Sequence, residues 1–332
     1  MTAADRLINN LTLKKTDRPA VTSLMTGVTA DLMDLCGSSW PEAHKNAGDM
    51  VNLAAAAHNF CGLESMKLPF CMTVEAEALG CAISYGDEMN LPQVKSHPFT
   101  RYDRLSPPAD YLRRARVPIV LEAIRMAKDK YSGLIPVVSS VVGPFTLACK
   151  VFDFQDVLAD LLLDPGEIIR TLDVLTELCI SYMNAQQDAG SDVILIGEAS
   201  CSGDVISPEI YRDFILPCHQ KIGAAVSVPT VVHICGNCTG HIPHIARSNI
   251  NGFSFDVKTD IAECVRLLKG RTAIVGYVDP LGVLLNGTPE TVESETRICR
   301  QNGVDVLNAG CAWPPGVPLV NVRAFVKAGI EI

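Results

Sequence analysis

Val231-Val232-His233-Ile234-Cys235-Gly236-Asn237-Cys238 reads as the end of an apolar strand, begun at residue 228, that runs into a Gly-Asn turn. Its consecutive apolar side chains mark a strand buried on both faces. Residues i and i+2 of a strand point to the same side, so His233 and Cys235 converge on one point. An imidazole and a thiolate so placed make half of a tetrahedral zinc site. The other half has to come from elsewhere in the chain, and Gly310-Cys311-Ala312-Trp313 is the best candidate.

Working outward, this strand is one of eight. The others are expected at 20–24, 66–72, 134–142, 192–196, 252–255, 272–276 and 305–307, nearly all followed by helical patterns. Ser207-Pro208-Glu209 and Thr288-Pro289-Glu290 each place an N-cap before a proline at the first helical position. Strict alternation of strand and helix forces a parallel sheet, and eight units suggest a closed (β/α)8 barrel of the TIM type. An open doubly wound sheet is the competitor, but no G-x-G-x-x-G follows the first strand. The expectation is an α/β chain with one barrel domain over residues 1–332. Residues 1–18 carry an amphipathic cap (Leu7, Ile8, Leu11), and 82–108 form a polar excursion after the second strand.

Composition narrows the function. The chain has 332 residues, 48% of them hydrophobic but only 6% aromatic, so the core is mainly aliphatic. Net charge is −9 and the Lys and Arg residues are scattered, which argues against nucleic acid and anionic membrane as partners. The longest charge-free run, 222–246, holds three His, two Pro and three Gly, unlike a membrane-spanning helix. Thirteen cysteines dispersed through helices and strands do not form a disulfide framework. Met1-Thr2-Ala3-Ala4-Asp5-Arg6 lacks the pattern of a signal peptide. A reducing cytoplasm is the expected location.

Function in such a barrel gathers at the C-terminal ends of the strands. Those ends offer Glu198, then His233 and Cys235, Asp256, Tyr277 and Asp279, and finally Asn308 and Cys311. Two thiolates and one imidazole leave a coordination position open, the catalytic rather than the structural pattern. Asp256 or Glu198 could fill it or support it from close by, and Tyr277 and Asn308 are candidates for the substrate pocket. Plainer readings compete. Most of the cysteines serve as small buried apolar residues, and acids at strand ends often cap the next helix or pair with a lysine such as Lys258. Cys235-x-x-Cys238 has a redox or zinc-knuckle spacing, yet no second such pair exists.

The C-terminal third resembles the uroporphyrinogen decarboxylase superfamily in Gly276-Tyr277-Val278-Asp279-Pro280, Gly287-Thr288-Pro289-Glu290, Pro314-Pro315-Gly316-Val317-Pro318 and Asn321-Val322. Val142-Gly143-Pro144-Phe145-Thr146 and Ser207-Pro208-Glu209-Ile210-Tyr211-Arg212 extend the likeness over about the whole chain. Within that superfamily, His-x-Cys with a distant Gly-Cys is similar to the zinc-dependent methylcobamide:coenzyme M methyltransferases. The resemblance implies the eight-stranded barrel, with His233, Cys235 and Cys311 as zinc ligands. It also implies methyl transfer from a methylated corrinoid, carried by a partner corrinoid protein, to a small thiol such as coenzyme M. The decarboxylases carry an arginine-containing motif after the first strand, where this chain reads Met25-Thr26-Gly27-Val28-Thr29, and a histidine at the position of Cys311. Both departures argue against a multi-carboxylate tetrapyrrole substrate. The alternatives are a corrinoid-dependent demethylase that methylates cob(I)alamin, and a non-enzymatic metal or corrinoid binding protein. Cobalamin-independent methionine synthases use similar ligands on a longer, two-domain chain.

Overall fold

The computed structural model describes residues 1–100, 102 and 105–331, which form ten strands. They are β1 (Ala20–Val21), β2 (Met66–Leu68), β3 (Ala82–Ser84), β4 (Gln93–Ser96), β5 (Val137–Val142), β6 (Val193–Gly197), β7 (Thr230–Ile234), β8 (Gly252–Phe255), β9 (Ala273–Val278) and β10 (Val306–Ala309). Prolines set several of the ends. β5 and β7 start just after Pro136 and Pro229, and β2 stops before Pro69, which has no N–H for the ladder. The expected strand at 66–72 is shorter for that reason.

Eight strands share one parallel sheet in the order β1-β10-β9-β8-β7-β6-β5-β2. Its two edges are consecutive in the chain, so the sheet curls until β1 faces β2, giving the (β/α)8 architecture that the alternation predicts. At this seam a carboxylate does part of the work of a ladder. The Glu64 N–H donates to the Val21 carbonyl (2.9 Å), while a Glu64 carboxylate oxygen accepts from the Val21 N–H (3.0 Å). Arg6 (2.5 Å) and Arg18 (2.7 Å) neutralise that buried carboxylate.

The barrel lumen is filled by Ala20, Leu24, Val138, Val193, Leu195, Val231, Ala273, Val275 and Val306. Leu7 and Leu11, from the helix Ala3–Leu11, join the same cluster and plug the N-terminal end of the strands. Burying each contributes about 1.5–3 kcal/mol, and the Thr2 hydroxyl caps the helix by accepting from the Asp5 N–H. Within 82–108, β3 and β4 pair as an antiparallel hairpin, so the polar excursion contains strands that its composition did not reveal. Residues 101, 103 and 104 of that stretch lie outside the described residues. No helix among the described residues is long and apolar enough to cross a membrane.

Candidate metal centre

β7 ends at Ile234, and the two residues flanking that end, His233 and Cys235, keep the alternation of the strand. Gly236 then turns the chain with φ +72 and has no room for a side chain. A Cβ there would stand 2.3 Å from Ser202 Oγ and 2.6 Å from Asp204 Oδ2. Cys311 arrives from the loop after β10. Gly310 donates to the Val278 carbonyl (2.9 Å), and the Trp313 N–H donates to Thr26 (2.8 Å), bracing that loop against the one after β1. The ligand atoms of His233, Cys235 and Cys311 come to lie within 4.8 Å of one another.

The donor set fits a zinc ion. His233 Nδ1 lies 3.0 Å from Ser254 Oγ; with Nδ1–H donating to the hydroxyl, Nε2 keeps its lone pair and faces Cys235 Sγ at 3.2 Å. His233 is 1% exposed, so its orientation is held by packing as well. The two sulfurs are 3.7 Å apart. At that separation they share a proton. The bond from Cys235, with support from His233, lowers the Cys311 thiol against the effect of burial, while Cys311, burial and Asp256 push Cys235 up. A divalent cation at this point is what allows both sulfurs to be thiolates together.

The other expected residues divide. Asp256 is half-buried at the rim, and its charge reaches Cys235. One of its oxygens accepts from the Lys258 N–H (3.1 Å), while the Lys258 ammonium goes to Asp204 (3.7 Å). Glu198 is not free to serve as a ligand. It is fully buried and caps the helix Pro144–Val151, accepting from the N–H groups of Phe145 (3.3 Å) and Thr146 (2.9 Å). Asn308 is buried, and its side chain splices β1 to β10. Its oxygen accepts from the Leu24 N–H (2.8 Å) and its amide donates to the Ala309 carbonyl (2.6 Å). Tyr277 lies on the helix-facing side, stacked on Phe255 at 5.5 Å, with its hydroxyl accepting from Asn302 (2.7 Å). Cys238 is buried away from the cluster, with its sulfur 3.6 Å from the Cys235 carbonyl, and burial holds its thiol up at about 12.

Ser254 was missed in the sequence. The signal was there: in Gly252-Phe253-Ser254-Phe255 the small residues alternate with aromatics, so Gly252 and Ser254 share the lumen face with His233. A second polar group follows β2. Cys71 accepts from Arg116 (3.2 Å), and Arg116 also bonds Thr73 (2.8 Å). Burial works to raise the Cys71 thiol, but His44, Arg116 and Thr73 outweigh it and hold it at about 5. Next to it, burial raises Glu75 to about 7, although a carboxylate oxygen accepts from the Val142 N–H (2.8 Å).

Comparison with known proteins gives a consistent result. The family described as uroporphyrinogen decarboxylase (URO-D) matches residues 2–332. Methylcobamide:CoM methyltransferase MtaA of Methanosarcina barkeri is 35% identical over 332 residues, covering 99% of this chain and 98% of that protein. Methylated-thiol–coenzyme M methyltransferase of Methanosarcina mazei is 33% identical over 300 residues, covering 90% and 81%. A solved structure of a methyltransferase from Methanosarcina mazei superposes with a TM-score of 0.96 at 35% identity, covering 99% of this chain and 98% of that one.

Proposed function

The chain belongs to the uroporphyrinogen decarboxylase family, and from that footing we propose that it is a methyltransferase that moves a methyl group from a methylated corrinoid to the sulfur of a small thiol such as coenzyme M. The observation that carries this reading is the meeting of His233, Cys235 and Cys311 within 4.8 Å at the barrel mouth. Relatives along the full chain are named as methyltransferases of this kind.

His233 Nε2 and the sulfurs of Cys235 and Cys311 would hold a zinc ion. Bound there, zinc supplies a Lewis acid that keeps a thiol deprotonated at neutral pH, where a free alkyl thiol is mostly protonated. The chain's own residues supply position. Ser254 fixes the His233 ring, Gly236 and Gly310 let their loops approach closely, and the Thr26–Trp313 bond keeps the Cys311 loop over the lumen. Of the two acids at neighbouring strand ends, Asp256 would be the one available to support the fourth position, since its charge reaches Cys235, whereas both oxygens of Glu198 are engaged elsewhere. Below the cluster the lumen is packed with aliphatic side chains.

In the transfer, a lone pair on the thiolate sulfur forms the new S–CH3 bond. The cobalt–carbon pair stays on cobalt, leaving cob(I)alamin, and the thiol proton has already left to solvent. The corrinoid comes from the open end of the barrel, most simply as the cofactor of a partner protein docked on the mouth. We place the reaction in a reducing cytoplasm, in keeping with thirteen free thiols. The test uses the zinc-loaded chain with methylcobalamin and a panel of thiols. The expected result is thiol-dependent loss of methyl–cobalt absorbance with one thioether formed per methyl lost. Methylation of cob(I)alamin by a methoxylated substrate, with no thiol dependence, would assign the demethylase reaction instead.

A further inference from the structure

Met72 stands at the barrel mouth, and nothing in the donor set described above accounts for it. It follows β2, is half-buried, and reaches past β5 to the end of β6. There it fills the space of a missing side chain. A Cβ on Gly197 would stand 2.6 Å from the Met72 methyl and 3.4 Å from its sulfur, so any side chain at 197 would displace Met72.

The sheet fixes where that space lies. Val193 and Leu195 of β6 belong to the lumen cluster, and with a period of two Gly197 continues their row. Gly197 also pairs in register with His233 on β7, and partners in a parallel ladder face the same side. Adjacent strands lie about 4.8 Å apart, so the Met72 methyl enters the lumen one strand away from His233. The three donor atoms come from β7, the turn after it and the loop after β10. β2, β5 and β6 supply none of them, and at the level of His233 the β6 position carries no side chain. Met72 is what closes that wall.

A thiol whose sulfur joins His233, Cys235 and Cys311 has to lay its carbon chain against a wall that supplies no donor. The carbon bonded to sulfur comes first, and at this level the wall is Met72. An unbranched thioether offers that carbon an apolar boundary and no charge. We propose that Met72 sets the width of the acceptor site beside the donor cluster, and so restricts the acceptor to thiols with no branch at the carbon next to sulfur. This assignment rests on the reading of the centre as a thiol site. Met72 acts as a specificity residue: it binds neither the metal nor the acceptor covalently and takes no part in the transfer.

The test is equilibrium binding to the full chain loaded with cobalt(II), read by the sulfur-to-cobalt charge-transfer band. Ethanethiol and 2-methyl-2-propanethiol are the unbranched and branched probes. The ratio of their affinities is compared between variant and wild type, which cancels the intrinsic difference between the two thiols. Met72→Ala should shift that ratio toward the branched thiol by about tenfold or more, the scale of a pocket that gains room for a methyl group or two. Its affinity for ethanethiol should stay within about threefold of wild type. Met72→Leu, close in volume, should keep the wild-type ratio. Gly197→Ala in the Met72→Ala background returns one carbon to the vacated space and should restore part of the preference. An Ala variant with the wild-type ratio overturns the proposal. So does one that binds cobalt itself more weakly, which would make the thioether a support of the metal. Met72→Val, a milder truncation, is read in the same way should Met72→Ala fail to fold. Failure of both thiols to change the wild-type cobalt band removes the thiol site itself, a distinct result on which this inference and the proposed function fall together.

Discussion

Ser254 Oγ stands 3.0 Å from His233 Nδ1, and the two residues are direct partners in the β7–β8 register. This hydroxyl is what commits Nε2 to the cluster. Ser254→Ala should leave the barrel intact and weaken zinc binding about 10- to 100-fold, the usual effect of removing a ligand's supporting partner. Competition against a chromophoric chelator measures it. Unchanged affinity would mean that packing alone orients the ring.

Cys311 closes the donor set from a loop distant in sequence. Cys311→Ala is expected to reduce bound zinc from about one ion per chain to a small fraction and to abolish methyl transfer, with the far-ultraviolet circular dichroism retained. Elemental analysis of the dialysed variant reads this directly. Full retention of zinc would exclude Cys311 as a ligand.

The shared proton between Cys235 and Cys311 sets a pH dependence. With the Cys311 thiol lowered and the Cys235 thiol raised, the metal-free pair holds one proton around neutrality. Zinc displaces it, so binding should release about one proton and tighten about tenfold per pH unit around neutrality, where the metal-free pair still holds that proton. Calorimetry in buffers of different ionisation enthalpy counts the proton. A count of zero or of two would contradict the pairing.

Glu75 gives a second pH effect, on stability. Its pKa is raised by burial to about 7 from the ordinary 4.5, so the folded chain binds the proton more tightly than the unfolded chain. Stability is therefore greatest below about 4.5 with respect to this group, and declines as pH rises through about 7. The loss is on the order of 3 kcal/mol. Glu75→Gln should flatten that part of the denaturation profile, as followed by urea midpoints at pH 5.5 and 8. A variant that keeps the wild-type slope would assign it to another group.

Asn308→Ala should act on the fold alone. Losing the bonds to Leu24 and Ala309 leaves buried groups without partners and costs about 1–3 kcal/mol. Affinity for thiols should stay at the wild-type value in the metal-loaded protein. A selective loss of thiol binding at full stability would return Asn308 to the pocket.

What the sequence made legible follows from how local each signal is. His233 and Cys235 were readable because a period of two on one strand places both side chains together without knowledge of the rest of the fold. Cys311 could be added because a barrel sends all strand ends to one mouth. Glu198 and Asn308 sit at equally suggestive strand ends, yet their oxygens are taken by N–H groups more than fifty residues away, of Thr146 and Leu24. No local pattern reports such a partner. The ring of Tyr277 leaves the lumen-facing alternation of Ala273 and Val275 to stack on Phe255, a turn that a period of two does not foretell. Lys67 is the converse case. A charge flanked by Met66 and Leu68 looks like an interruption of a short strand, and only the register with Val138 shows that it faces inward.

Cys235 and Cys311 are separated by 76 positions, and in the sheet β8 and β9 stand between the strands that carry them, β7 and β10. An ion gripping both sulfurs rivets the last quarter of the barrel to its middle, and adds to folding in proportion to the logarithm of free ion over dissociation constant. A newly made chain cannot acquire this rivet until residue 311 has been synthesised and folded back. If the site holds its ion as proposed, metal supply would govern how long the finished protein survives, as well as whether it works.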